Sequence, residues 1–358
     1  MFFYIIVGVI TTALAQLTVS SYGKNQTLFI VSCFLFIMFP SVIEGCRDVT
    51  IGTDMMAYGS VFFYDALRYN DVFVFLHNLD TKEYAYHLLC YICGKYGTIN
   101  LYMFMAAFIK MILLALTCIH FRKKTIVWMA VLGYMLFFYW YGFSLMRQSL
   151  ALCVALYSFT FLVDKKYIGF SLCVVISYLF HNSGIFILLM PLILYMLKLK
   201  HKLILISTSA IICYLMASVL FIFIASSGLF GESKMDLYLD SGVQSSKTNI
   251  LILVAFLLFT FAVKKQNERL VFVIQANAII GLMFLMLSSL FEVAFRVSFY
   301  QMLPLLFLFP ALLKEYQVGC WKVTGKIMFL LLLLVHIILA AQHGMAETIP
   351  YKSALLGI

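Results

Sequence analysis

Residues 100–121 read NLYMFMAAFIKMILLALTCIHF and are followed at once by Arg122-Lys123-Lys124. A helix rises 1.5 Å per residue, so about 20 apolar residues cross the roughly 30 Å of hydrocarbon in a bilayer. The stretch carries a single formal charge, Lys110, and ends on three consecutive bases. It reads as a membrane span closed by a basic turn.

The same pattern recurs on both sides of it. Apolar runs lie at 2–21, 27–43, 125–142, 146–163, 166–180, 184–198, 203–227, 249–263, 268–290, 298–313 and 325–343. Of the 358 residues 64% are hydrophobic and 11% charged, where a soluble domain has about 25% charged. The mean hydropathy is +1.03. No soluble fold hides that much apolar surface in one core, and disordered chains are polar and poor in aromatics. The expected fold is all-α: a polytopic integral membrane protein of about 10–12 transmembrane helices, forming one transmembrane domain over 1–358.

The charges set the orientation. Six connections, 22–26, 122–124, 164–166, 198–202, 264–269 and 314–326, hold fifteen of the 25 Lys and Arg but only Asp164, Glu268 and Glu315 of the 15 acids. With twelve spans all six fall on one side, the cytoplasmic one by the positive-inside rule, and both termini lie outside. Merging 166–198 into one helix would put half of these loops outside, so a break is expected near His181. The net charge of +10 is then an orientation signal, and no nucleic-acid partner is expected. The N-terminal MFFYIIVGVITTALAQ lacks the basic start of a signal peptide and reads as an uncleaved first span.

Two segments stand out on the other side. Residues 44–98 form a large outer segment, periplasmic on the resemblance given below, in which Tyr58, Phe62, Phe63, Tyr64, Tyr69, Phe73 and Phe75 suggest interfacial helices on the membrane surface. Residues 228–248 form a second, polar loop. Among the nine cysteines, Cys33, Cys118, Cys153, Cys173 and Cys213 sit in apolar runs, and Cys90 and Cys93 form a lone C-x-x-C. They read as small buried hydrophobes, and neither a cofactor nor a metal is expected.

Charged groups at a span end are expensive, which makes each a functional candidate. Arg47 and Asp48 follow the second span, Arg147 opens the fifth, His181 sits at the expected break, and Arg296 lies one turn after Glu292. Arginines converging on one outer cleft would bind phosphate oxygens bidentately, and a histidine beside them would exchange a proton near neutral pH. Local readings compete: Arg296 pairing with Glu292, Arg47 pairing with Asp48, His181 capping a helix break. Asp48, Asp54 and Glu83 are carboxylates placed to act as a base toward a sugar hydroxyl or to meet a divalent ion. The other histidines, His77, His87, His120, His201, His336 and His343, have no ligand-like spacing.

Four pieces in order carry a resemblance: Arg47-Asp48-Val49-Thr50-Ile51-Gly52-Thr53-Asp54 with Tyr58 beyond it, Glu83-Tyr84-Ala85-Tyr86-His87, Arg147-Gln148-Ser149-Leu150-Ala151, and Phe180-His181-Asn182-Ser183; Pro350-Tyr351 adds a weaker one. The chain resembles the EpsG-like family of bacterial exopolysaccharide proteins, which includes many Wzy-type O-antigen and capsule polymerases. It departs at Tyr84-Ala85, where the family usually has Pro-Gly. The resemblance implies a GT-C-like glycosyltransferase of the bacterial inner membrane, with its active site facing the periplasm. Such a polymerase moves a growing glycan from undecaprenyl diphosphate to the non-reducing end of another lipid-linked repeat unit; the related GT-C enzymes and O-antigen ligases work without a nucleotide sugar, and the ligases without metal.

The implied partners are the two undecaprenyl-diphosphate-linked oligosaccharides, the lipid bilayer and a chain-length regulator protein. On this reading Arg47, Arg147 and Arg296 hold diphosphates, with Asp48 and Tyr58 beside the substrate. His181 assists proton transfer from the acceptor hydroxyl or grips the diphosphate, and Asp48, Asp54 and Glu83 supply a base or sugar contacts. The rivals are a flippase, favoured only by Lys110 midway along its span, and a glycan ligase, which would differ in its acceptor. An acyltransferase or a structural scaffold fits less well.

Overall fold

The computed structural model describes residues 1–79, 81–226, 247–263, 267–290, 292–316 and 319–357. Every regular element among them is helical, and the protein is a polytopic membrane protein. Among the described residues seven helices are long and apolar enough to cross a membrane: α1 (Phe2–Ser21), α2 (Gln26–Gly45), α6 (Ile99–Phe121), α9 (Met146–Val163), α14 (Glu268–Leu287), α15 (Glu292–Glu315) and α16 (Cys320–Gln342). Five shorter apolar helical stretches lie at Val127–Tyr139, Tyr167–Phe180, Asn182–Met196, Lys202–Ala217 and Lys247–Ala262. They contain α7 (Val127–Tyr134), α10 (Tyr167–Phe180), α11 (Leu189–Met196), α12 (Lys202–Ser226) and α13 (Lys247–Ala262). Each apolar run of the sequence thus becomes a helix. The expected loop at 228–248 and the pair Lys264-Lys265 lie outside the described residues, apart from Lys247 and Thr248, which begin α13.

Local chemistry places the boundaries. Asn25 accepts the Leu28 N–H at 2.9 Å, Thr98 the Leu101 N–H at 3.4 Å and Asn267 the Leu270 N–H at 3.0 Å, each capping the span that follows. The break near His181 is present: α10 ends at Phe180, His181 is extended, and a 3-10 turn runs from Asn182 to Leu188. Large apolar side chains such as Ile211, Ile212, Leu215 and Met216 on α12 face outward, as lipid-facing positions do.

Residues 44–98 hold the end of α2, a π-helical turn (Met55–Gly59) and three short helices, α3 (Ser60–Ala66), α4 (Val72–His77) and α5 (Tyr84–Tyr96). Asp71 caps α4 by accepting from Phe73 N–H at 2.7 Å and Val74 N–H at 3.0 Å.

The chain divides into two compact units, 1–187 with 333–358, and 188–332. In the first, α1 packs on α2, α2 on α6, α6 on α9 and α9 on α10. From Leu333, within α16, the chain returns to this unit: the Tyr4 hydroxyl donates to Thr348 O at 2.7 Å, and the Tyr351 hydroxyl to Ile43 O at 2.6 Å.

The second unit is built from α11 to α15 and the first part of α16, with Phe256 stacked on Phe309 at 4.4 Å and Phe329 alongside. It also buries the carboxamides of Asn249, Gln275, Asn277 and Gln301. Arg296 lies half-buried on α15 in this unit. The Glu292 side chain, its expected partner, lies outside the described residues.

Candidate active site

The site in the first unit is assembled around Glu83. This residue caps the start of α5, but its carboxylate makes no bond to that helix. It turns instead toward α9 and the break after α10. Oε2 accepts from Arg147 Nη1 at 2.6 Å, Oε1 accepts the Asn182 backbone N–H at 3.3 Å, and Oε1 also faces His181 Nε2 at 3.9 Å. The carboxylate is nearly enclosed at 4% exposure, while Arg147 and His181 retain 21% and 18%. The charge is therefore sealed on one side and reachable from the other.

Arg147 occupies the first turn of α9, where the positive end of the helix dipole disfavours a cation. Two things offset that cost. One is the Glu83 carboxylate. The other is an aromatic box: the guanidinium carbon lies 5.6 Å from the Tyr58 ring centroid, 5.3 Å from Phe62 and 5.9 Å from Tyr86, distances at which ring faces attract a cation. Tyr58 is exposed and so presents a ring face beside the guanidinium. The Asp54 carboxylate, at the head of the π turn, is close enough to act on the charge of Arg147.

The tautomer of His181 follows from its neighbours. Nδ1 accepts the fixed backbone N–H of Ser183 at 3.1 Å and lies 2.7 Å from the Ser183 hydroxyl. The neutral ring therefore carries its proton on Nε2, the nitrogen that faces Glu83. His87, also beside this carboxylate in sequence, is different. Its Nε2 meets Thr81 Oγ1 at 3.2 Å. Burial pushes the imidazole down to about 4, against the pull of Glu83, so it stays neutral near pH 7.

The loop 47–54 positions the Asp54–Tyr58 segment, and it is clamped from two sides. The C-terminal segment holds one side: Asp48 N–H donates to Lys352 O at 3.0 Å, Asp48 Oδ1 accepts Ala354 N–H at 2.9 Å, and Gly52 N–H donates to Glu347 O at 3.1 Å. The turn before α9 holds the other, where Thr53 Oγ1 lies 3.1 Å from Ser144 Oγ. Gly52 has φ of +94°, and an added Cβ would lie 2.6 Å from Phe143 O. Gly52→Ala is therefore expected to cost about 1–3 kcal/mol, read as a lower melting temperature of the purified protein. An unchanged melt would show that the loop does not press on this turn.

Arg47 sits elsewhere than the sequence reading expects. Its side chain is fully buried, at 0% exposure, and Nη1 lies 3.4 Å from Glu44 Oε1. Lys110 Nζ meets the same oxygen at 2.6 Å. The partner of Arg47 is Glu44, not Asp48, and its guanidinium is engaged inside the protein rather than at an open cleft. Asp48 likewise serves the C-terminal segment. Glu44 lies in the last turn of α2, and the chain turns past its cap at Cys46, which brings the Arg47 side chain back to Glu44.

The structure thus brings together Tyr58, Glu83, Arg147 and His181, with Asp54 near them. Sequence reading missed Glu44, Phe62, Tyr86 and the Asn182 N–H. The signal for Glu44 was available, since an acid at the end of one span is a ready partner for the buried Lys110 of another.

The motifs holding these residues all fall between positions 47 and 183. The family model that matches the chain, the EpsG family, covers residues 30–353. The chain belongs to the EpsG family. No curated protein and no solved structure matches it. EpsG is a membrane protein family linked to polysaccharide synthesis. In this EpsG-family chain, the matched span takes in the Glu83–Arg147–His181 cluster, the loop that carries Asp54, and the C-terminal segment that clamps it.

Proposed function

We propose that this EpsG-family protein is a polysaccharide polymerase, a GT-C-like membrane glycosyltransferase acting at the periplasmic face of the bacterial inner membrane. It transfers a growing glycan from undecaprenyl diphosphate to the non-reducing end of another lipid-linked repeat unit. The observation that carries the reading is the convergence of Arg147, Glu83 and His181 from three separate segments onto one partly open site. A guanidinium placed there suits a diphosphate leaving group, and a carboxylate with a histidine suits removal of a proton from a sugar hydroxyl.

In the proposed reaction the acceptor hydroxyl attacks the anomeric carbon of the donor. A glycosidic C–O bond forms, and the bond from that carbon to the diphosphate oxygen breaks. Undecaprenyl diphosphate leaves with the electron pair, its growing charge held by Arg147. The hydroxyl proton passes to the Glu83–His181 pair. Asp54 and the exposed ring of Tyr58 contact the sugars. For Arg296 a separate role, as a ligand of a lipid diphosphate, is proposed because an arginine within an apolar helix is costly to retain.

A gel of surface polysaccharide from a strain lacking the gene, beside the complemented strain, tests the function. A polymerase leaves a single repeat unit on the acceptor and no ladder, because flipping and ligation still work. Loss of every repeat would point to a flippase or ligase and end the polymerase reading.

A further inference from the structure

Arg47 is engaged by the turn that carries Arg147. Between α8 (Tyr141–Ser144) and α9, Leu145 leaves the helical conformation with φ of −82° and ψ of 54°. The last carbonyls of a helix lack intrahelical donors, and in a membrane protein they must be satisfied from within. Arg47 Nη2 donates to Phe143 O at 2.8 Å and reaches Met146 Sδ at 3.5 Å, with the guanidinium 4.5 Å from the Phe143 ring centroid. One side chain therefore touches both sides of the break, and Met146 is the residue before Arg147.

The surrounding charges converge on the same turn. Lys110 Nζ lies 2.6 Å from where a Cβ on Gly142 would be. Glu44 holds both cations, and all three side chains are at 0–2% exposure. A buried set with two cations and one carboxylate is a poor source of stability, because desolvation offsets the attraction. The fork of Arg47 does something an apolar side chain cannot: it satisfies the carbonyl freed by the break while remaining paired to Glu44.

We infer that Arg47 is a positioning residue. Buried away from substrate, it fixes the break between α8 and α9 and so sets the direction in which Arg147 leaves the first turn of α9. This rests on the proposed role of Arg147 as a diphosphate ligand.

The test uses the full-length protein in detergent with inorganic diphosphate as probe, read by calorimetry beside the thermal melt. In Arg47→Lys the charge near Glu44 remains but the fork is lost. In the triple variant Glu44→Gln, Arg47→Met, Lys110→Met the ionic set becomes near-apolar at similar volume, which tends to preserve or raise stability. Both are expected to fold, the unpaired Phe143 carbonyl of the triple variant offsetting the gain from removing the ions, and to bind diphosphate at least tenfold more weakly. Arg147→Ala is expected to abolish binding.

Wild-type affinity in either Arg47 variant, with binding lost in Arg147→Ala, would overturn the positioning role alone. Wild-type affinity in Arg147→Ala, or no binding by the wild type, would overturn the assignment of Arg147 and this inference with it.

Discussion

Arg147→Lys is expected to cut polymer synthesis severely while leaving the protein in the membrane at its normal level. The substitution is informative because it keeps the charge. Glu83 is almost fully enclosed and depends on a cation 2.6 Å away. Arg147→Ala would strand that carboxylate, at a cost of about 3–5 kcal/mol for a broken buried pair, so in cells, where no melt is read beside it, it would confuse folding with function. A lysine keeps Glu83 paired but is a point charge, which cannot meet a phosphate bidentately or stack as a plane on aromatic rings. The box of Tyr58, Phe62 and Tyr86 holds a planar guanidinium. The ladder is expected to fall by about 10²–10³-fold, the usual effect of removing one donor aimed at developing charge. A normal ladder from Arg147→Lys would refute the assignment of Arg147 to the leaving group.

Glu83→Gln separates binding from turnover. In the structure the charge of Arg147 is met by Glu83, so a diphosphate entering the site must share the guanidinium with a carboxylate already there. Glutamine has the same shape. Its single oxygen can accept from Arg147 or from the Asn182 N–H, which Glu83 meets at 2.6 and 3.3 Å, but not from both, and it brings no charge. Inorganic diphosphate is therefore expected to bind about tenfold more tightly, equivalent to about 1.4 kcal/mol. Turnover is expected to move the other way, falling about 10²–10⁴-fold with the loss of a general base. Calorimetry and the polymerisation rate, measured on one preparation, read the two effects together. Weaker binding with normal turnover is the result that would remove Glu83 from the chemistry.

The helices were legible in the sequence because they depend on local properties, but not all of their ends: α15 and α16 begin at Glu292 and Cys320, ahead of the apolar runs read from 298 and 325. Span length follows from the run of apolar residues. The caps at Asn25, Thr98 and Asn267 act within three residues of themselves. The break at His181 was forced by the side on which the basic loops had to fall. The motif residues were also visible one at a time, as costly charges at span ends or as family positions.

Which of those charges meet was settled only by the tertiary structure. Arg147 and Glu83 are 64 positions apart, and Asn182 and Glu83 are 99 apart. Composition and periodicity carry no information about such pairs, since a contact of 2.6 Å depends on how α5, α9 and the end of α10 pack. Arg47 makes the same point in the opposite sense. Beside Asp48 in sequence and close to the motif, it reads as a surface ligand. The packing of α2 on α6, and of both against the turn at 142–146, instead encloses it with Glu44 and Lys110. Sequence determined that the chain crosses a membrane as helices with costly charges near their ends, because hydrophobic length and capping are local. Only the fold decided which charge faces an opening and which is sealed inside, because burial and pairing depend on neighbours brought in from distant parts of the chain.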